Sequence, residues 1–149
     1  MNALKDYIVG VQHIGYVVAD LEKSIETYKE LYGIGDSDIQ IFPEADDGSA
    51  LTRFAFIQVG EVQFELIQAL RSPYTEKLKG EDNGAGGINH LAYRVRDLEA
   101  AVAALSDQGI GPGHVTPDGI VRFGNKKIVY LDPNAISGQL IELIEVDGA

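Results

Sequence analysis

Four side chains able to hold a metal ion or move a proton recur at one interval in this sequence. His13 and His90 stand 77 residues apart, and so do Glu65 and Glu142. Taken singly, each has an ordinary explanation, since a strand histidine is usually a packed or edge residue and a glutamate near a strand end is usually solvated. Their joint recurrence is what points to chemistry. Two imidazoles and two carboxylates suit a divalent cation of borderline hardness, Zn²⁺, Co²⁺, Ni²⁺ or Mn²⁺, with water filling the open positions. The cation would also resolve a cost, because the carboxylates sit inside the apolar runs "FELI" and "LIELI", where burial is unfavourable without a compensating charge or donors. The chain has no cysteine, so disulfides, thiolate catalysis and Cys-zinc sites are excluded. The third and last histidine, His114 in "GPGHVTPDG", has no counterpart at the interval and reads as a solvated loop residue.

The interval extends beyond the four. At the same offset Tyr16 meets Tyr93, Val18 meets Val95, the triplet Asp20, Leu21, Glu22 meets Asp97, Leu98, Glu99, and "ELI" at Glu65–Ile67 meets "ELI" at Glu142–Ile144. Each copy opens with an alternating apolar stretch, Val9–Val18 and Ile88–Val95, which reads as a strand with one buried face. Asp20 and Asp97 then stand as helix N-caps before the apolar series Leu21, Ile25, Tyr28, Leu31 and Leu98, Val102, Leu105. Two further apolar runs close each copy, "TRFAFIQV" with "VQFELIQAL", and "KIVYL" with "QLIELIEV". The expected fold is α+β: two tandem βαβββ modules, of about residues 8–70 and 88–146, in a single domain spanning 1–149. Residues of about 71–87, rich in glycine and charge, connect them, and "GEDNGAGG" reads as linker because it follows no strand and opens no helix. Strand parity sets Tyr16 and Val18, like Tyr93 and Val95, toward the helices, and His13, Glu65, His90 and Glu142 toward the opposite face. A curved mixed sheet with its helices outside would line a cavity with that face.

A formal charge of −11, from 23 acidic against 12 basic residues, repels polyanions, so nucleic acid and membranes are not expected partners. The N-terminal stretch has no long apolar run, and a cytoplasmic protein is expected. Arg94 shares parity with His90 and could meet an anionic group of a small-molecule substrate. Arg122, Lys126 and Lys127 form the densest basic cluster, a local patch able to hold a phosphate.

With these residues the chain resembles the vicinal oxygen chelate superfamily, also called the glyoxalase, bleomycin-resistance and dioxygenase fold. Within it, "SPYTEKLKGEDNGAGGINHLAYRVRDLEAAVAAL" and "GNKKIVYLDPNAISGQLIELIE" are similar to methylmalonyl-CoA epimerases. The resemblance implies a homodimer and a metal-dependent isomerase that abstracts the α-proton of an acyl-CoA thioester through a metal-stabilised enolate. His13, Glu65, His90 and Glu142 would then be the ligands, and Glu65 and Glu142 the bases approaching from opposite sides. Lys126, Lys127 and Arg94 would bind substrate. Three positions depart from the epimerase pattern: Asn89 stands where a histidine is common, "LDPNA" replaces "LHPK", and "TRFAFIQV" offers no carboxylate. A glyoxalase I-type isomerase acting on a thiol-aldehyde adduct and a metal-free sequestering protein are the alternative readings.

Overall fold

The computed structural model describes residues 4–79 and 88–148. The described residues divide into two compact units, His13–Asn89 (the first) and those up to Gln12 together with those from His90 onward (the second).

The first unit contains the end of β1 (Ile8–Val17), then α1 (Leu21–Tyr32), β2 (Ile39–Phe42), β3 (Thr52–Val59), β4 (Val62–Ala69) and the single turn α2 (Tyr74–Lys77). Its strands lie in the order β2-β3-β4-β1. β4 runs parallel to β1, with Gly15 beside Glu65, and antiparallel to β3, with Phe56 beside Glu65. The Asp20 carboxylate accepts the Lys23 N–H at 3.1 Å to start α1, and Gly33 ends it with φ 65°. One face of α1 places Leu21 and Ile25 on Ala55, Ile57 and Leu66, with Tyr16, Val18, Tyr28 and Phe64 around them. Burial first, and then the neighbouring Tyr16 and Tyr32, push the Tyr28 phenol up to about 12. Leu31, expected in this stripe, is exposed instead. The series 21, 25, 28 continues at 32, so Tyr32 faces the sheet and stacks on Phe64 at 6.1 Å.

The second unit holds β5 (His90–Val95), α3 (Leu98–Ser106), β6 (Val121–Phe123), β7 (Lys126–Tyr130) and β8 (Ile141–Val146), ordered β5-β8-β7-β6. β5 and β8 are parallel, with Ala92 beside Glu142; β7 and β8 are antiparallel, with Tyr130 beside Glu142. Asp97 caps α3 through the Ala100 N–H at 2.9 Å. Leu98, Ala101 and Leu105 pack on Val95, Val129 and Leu143.

Two features go beyond the sequence reading. Residues 8–12, read from the sequence as the start of the first module, group with the second unit, as do the residues before them: Leu4, Tyr7 and Ile8 join the core under α3, and the Arg96 N–H donates to the Tyr7 carbonyl at 3.1 Å. The first of the three strands after each helix, β2 and β6, is only four and three residues long and lies outside the apolar runs read from the sequence. Within the expected linker, residues Tyr74–Lys77 form the single turn α2, and "GEDNGAGG", residues 80–87, lies outside the described residues.

Candidate metal centre and active site

Each unit builds one buried imidazole–carboxylate pair in the same way. In the first, β1 presents His13 two residues before Gly15, and parallel pairing puts Gly15 beside Glu65. In the second, β5 presents His90 two residues before Ala92, and Ala92 lies beside Glu142. Residues two apart on a strand share a face, so the small Gly15 and Ala92 leave each imidazole open to its glutamate. His13 Nε2 lies 3.7 Å from Glu65 Oε2, and His90 Nε2 lies 3.5 Å from Glu142 Oε2. His13, Glu65, His90 and Glu142 are all buried, at 4, 8, 2 and 5% exposure. Charged groups this deep require a partner.

The surroundings repeat as well. Phe56, paired with Glu65, sets its ring edge against His13 at 5.9 Å and 70°, while Tyr130, paired with Glu142, meets His90 at 5.5 Å and 73°. Tyr130 also carries a hydroxyl, which donates to Glu142 Oε2 at 2.9 Å. Ile144 is buried two residues beyond Glu142 on that face and helps exclude water. In donor type, each pair fits a divalent ion of borderline hardness, one nitrogen and one carboxylate oxygen on facing groups.

The remaining expected site residues fall differently. Arg94, two residues beyond Ala92 on β5, is half-buried on the face of His90 and Glu142, and no hydrogen bond or ion pair engages it among the described residues. Lys126 shares the Tyr130 face of β7 by parity. Lys127 does not. It lies on the helix side, with Nζ 2.8 and 2.9 Å from the two Glu99 oxygens and 3.4 Å from Glu145, which corrects its expected place among substrate-binding residues. Those contacts raise Lys127 above the ordinary lysine range, the Glu99 hydrogen bond most, and lower Glu99 through the same bond. The first unit repeats the arrangement with Arg53, which pairs with Glu22 of α1. The role is therefore architectural in both units: a strand cation ties down the first turn of the helix. Arg122 is likewise occupied by Asp147 at 2.8 Å, so the expected basic cluster is broken up by carboxylates. His114 is exposed on its loop. Asn89 donates its backbone N–H to the Gly15 carbonyl at 2.8 Å.

Sequence reasoning missed Tyr130. A signal was available in the second apolar run of each unit, where "FAF" and "IVY" end on Phe56 and Tyr130, but only the strand register places both beside the glutamates.

Among known proteins, residues 12–130 match the model of the Glyoxalase/Bleomycin resistance protein/Dioxygenase superfamily. A Cereibacter sphaeroides relative named ethylmalonyl-CoA/methylmalonyl-CoA epimerase is 31% identical, over 91% of this chain and 97% of its own length. The mitochondrial methylmalonyl-CoA epimerase of Mus musculus is 28% identical, over 89% of this chain and 71% of its own. The crystal structure of methylmalonyl-CoA epimerase from Mycobacterium tuberculosis superposes with a TM-score of 0.71 at 28% identity, covering 98% of this chain and 93% of that one. The expected α+β fold of two βαβββ modules is thus the fold of solved epimerases.

Proposed function

Because the chain belongs to the glyoxalase/bleomycin resistance protein/dioxygenase superfamily, we propose that it is a metal-dependent epimerase of an acyl-CoA thioester, methylmalonyl-CoA or a close analogue. The observation that carries this reading is the duplicated buried pair, His13 with Glu65 and His90 with Glu142, in a chain whose relatives bear epimerase names. His13, Glu65, His90 and Glu142 would be the ligands for a divalent cation, Co²⁺, Zn²⁺, Ni²⁺ or Mn²⁺. Bound there, the cation would act as a Lewis acid toward the negative charge that develops on the thioester oxygen when the α-proton leaves.

The protein's own part is proton transfer and orientation. Inverting an α-carbon requires a proton to leave one face and return on the other, hence two bases or one that reaches both. Glu65 and Glu142, one from each module, supply the two carboxylates, and their burial keeps them from being levelled by solvent water. Arg94, half-buried on the His90 face, is placed to receive the substrate's free carboxylate or a phosphate of the CoA moiety. Lys126 offers a second cation by parity. Ala92 and Gly15 keep the space beside the glutamates clear.

The test is α-proton exchange of methylmalonyl-CoA in deuterated water, with and without chelator, beside a hemithioacetal control. Wild type washes deuterium into the α-carbon; chelator abolishes this; Glu142→Gln and Glu65→Gln each lower the rate by about 10²–10⁴. Full exchange in both variants would remove the glutamates from the mechanism. Turnover of the hemithioacetal alone would move the protein to a glyoxalase-type isomerisation, and tight binding of a small molecule with no bound metal would make it a sequestering protein.

A further inference from the structure

The two units copy one another around the glutamates, and on the antiparallel side the copies differ by one hydroxyl. Phe56 and Tyr130 occupy the same register position, each beside its glutamate and each with its ring edge toward its histidine. Phe56 has no hydroxyl to donate. Tyr130 has one, and places it 2.9 Å from Glu142 Oε2, the oxygen that faces His90 Nε2 at 3.5 Å.

The Tyr130 backbone is itself held on both sides. Its N–H donates to Thr116 Oγ1 at 2.8 Å, and its carbonyl accepts the Gly113 N–H at 2.9 Å and the Thr116 hydroxyl at 3.3 Å. Thr116 is 5% exposed, a buried hydroxyl spent wholly on this strand residue. The loop carrying it can come so close only because residue 113 is glycine: a Cβ there would lie 2.7 Å from the Leu131 carbonyl oxygen and 2.8 Å from Asp132 Cα. A side chain fixed from behind in this way can fix another in front.

We infer that Tyr130 is a positioning residue, which orients the Glu142 carboxylate toward His90. The inference rests on the reading that Glu142 holds a metal ion. A hydrogen bond from a phenol on an anchored backbone restrains rotation of the carboxylate, so that the oxygen facing the imidazole is presented without being searched for.

Tyr130→Phe removes only the hydroxyl and keeps the ring against His90. Co²⁺ affinity of the purified protein, measured by competition with a chromophoric chelator, is expected to fall about tenfold in the variant. The visible absorption of bound Co²⁺ is expected to shift, and α-proton exchange to slow in kcat with KM held. The thermal midpoint in chelator should stay near wild type, which separates positioning from packing. Equal Co²⁺ affinity and an unchanged Co²⁺ spectrum in wild type and variant would overturn the positioning role while leaving the metal reading intact. A wild-type protein that binds no Co²⁺ would overturn both.

Discussion

Glu142→Gln separates a metal ligand from a structural ion pair, because the two roles change stability with opposite dependence on metal. Glutamine keeps the volume of Glu142 and an oxygen to accept the Tyr130 hydroxyl, now 2.9 Å away, while it removes a charge from a site only 5% exposed. With metal chelated, the variant should therefore unfold within about 2 °C of wild type, since a buried carboxylate is itself costly without its cation. With Co²⁺ at a hundredfold excess over the dissociation constant, linkage stabilises wild type by about 2.7 kcal/mol. At about 2–4 °C per kcal/mol for a domain of this size, that is a rise of about 5–11 °C. Loss of one charged ligand weakens binding by at least about a hundredfold, more than an outer hydrogen-bond partner would. The same Co²⁺ concentration then yields only about 0.4 kcal/mol, a shift of about 1–2 °C. If Glu142 served only to pair with a protonated His90 at 3.5 Å, the outcome would reverse: breaking a buried pair costs about 3–5 kcal/mol whether or not metal is present. Thermal unfolding followed by circular dichroism, in chelator and in excess Co²⁺, distinguishes the two. A drop of more than about 6 °C in chelator, or a Co²⁺ shift equal to that of wild type, would refute the ligand role.

Gly113→Ala drives a methyl group into the backbone of Leu131 and Asp132. It should cost about 1–3 kcal/mol by urea denaturation, whereas Gly111→Ala, with nothing within 4 Å of its added Cβ, should leave stability within about 1 kcal/mol of wild type. Acid should destabilise the chelated protein through its ion-paired carboxyls: the Lys127 hydrogen bond holds Glu99 below its ordinary 4.5, and the Arg122 hydrogen bond holds Asp147 below 3.8. A depressed folded value means that the unfolded chain binds more protons in this window. The contribution is thus present above about pH 4.5 and lost as pH falls through the folded values, a trend that denaturation midpoints taken from about pH 6 to pH 3 would show.

The two buried imidazole–carboxylate pairs were readable from the sequence because a strand alternates with period two. Once His13 and His90 were aligned 77 residues apart, parity alone put each histidine and its glutamate away from the helix stripe, and the buried pairs at 3.7 and 3.5 Å follow that parity. Helix starts were readable for a similar local reason, since Asp20 and Asp97 satisfy the backbone N–H groups of Lys23 and Ala100 within three residues. Lys127 was misread because its charge is visible in the sequence and its face is not: one residue from Lys126, it crosses to the helix side and meets Glu99 and Glu145, 28 and 18 residues away. The helix N-termini are also met from a distance, by Gln68 Oε1 on the Leu21 N–H at 2.9 Å and Glu145 Oε2 on the Leu98 N–H at 2.7 Å. These two acceptors obey the 77-residue interval, yet their task emerges only when strand and helix are in place.

What the sequence by itself determined was therefore the duplicated plan: the residue types, the interval, the helix caps and the side of each strand on which a side chain stands. Those are consequences of covalent order and local geometry. Strand register was decided by the tertiary structure, and register is what set Tyr130 beside Glu142 and Phe56 beside Glu65. Pairing across a sheet depends on how two distant apolar faces fit together, and a shift of one residue would have sent each of those side chains to the other side.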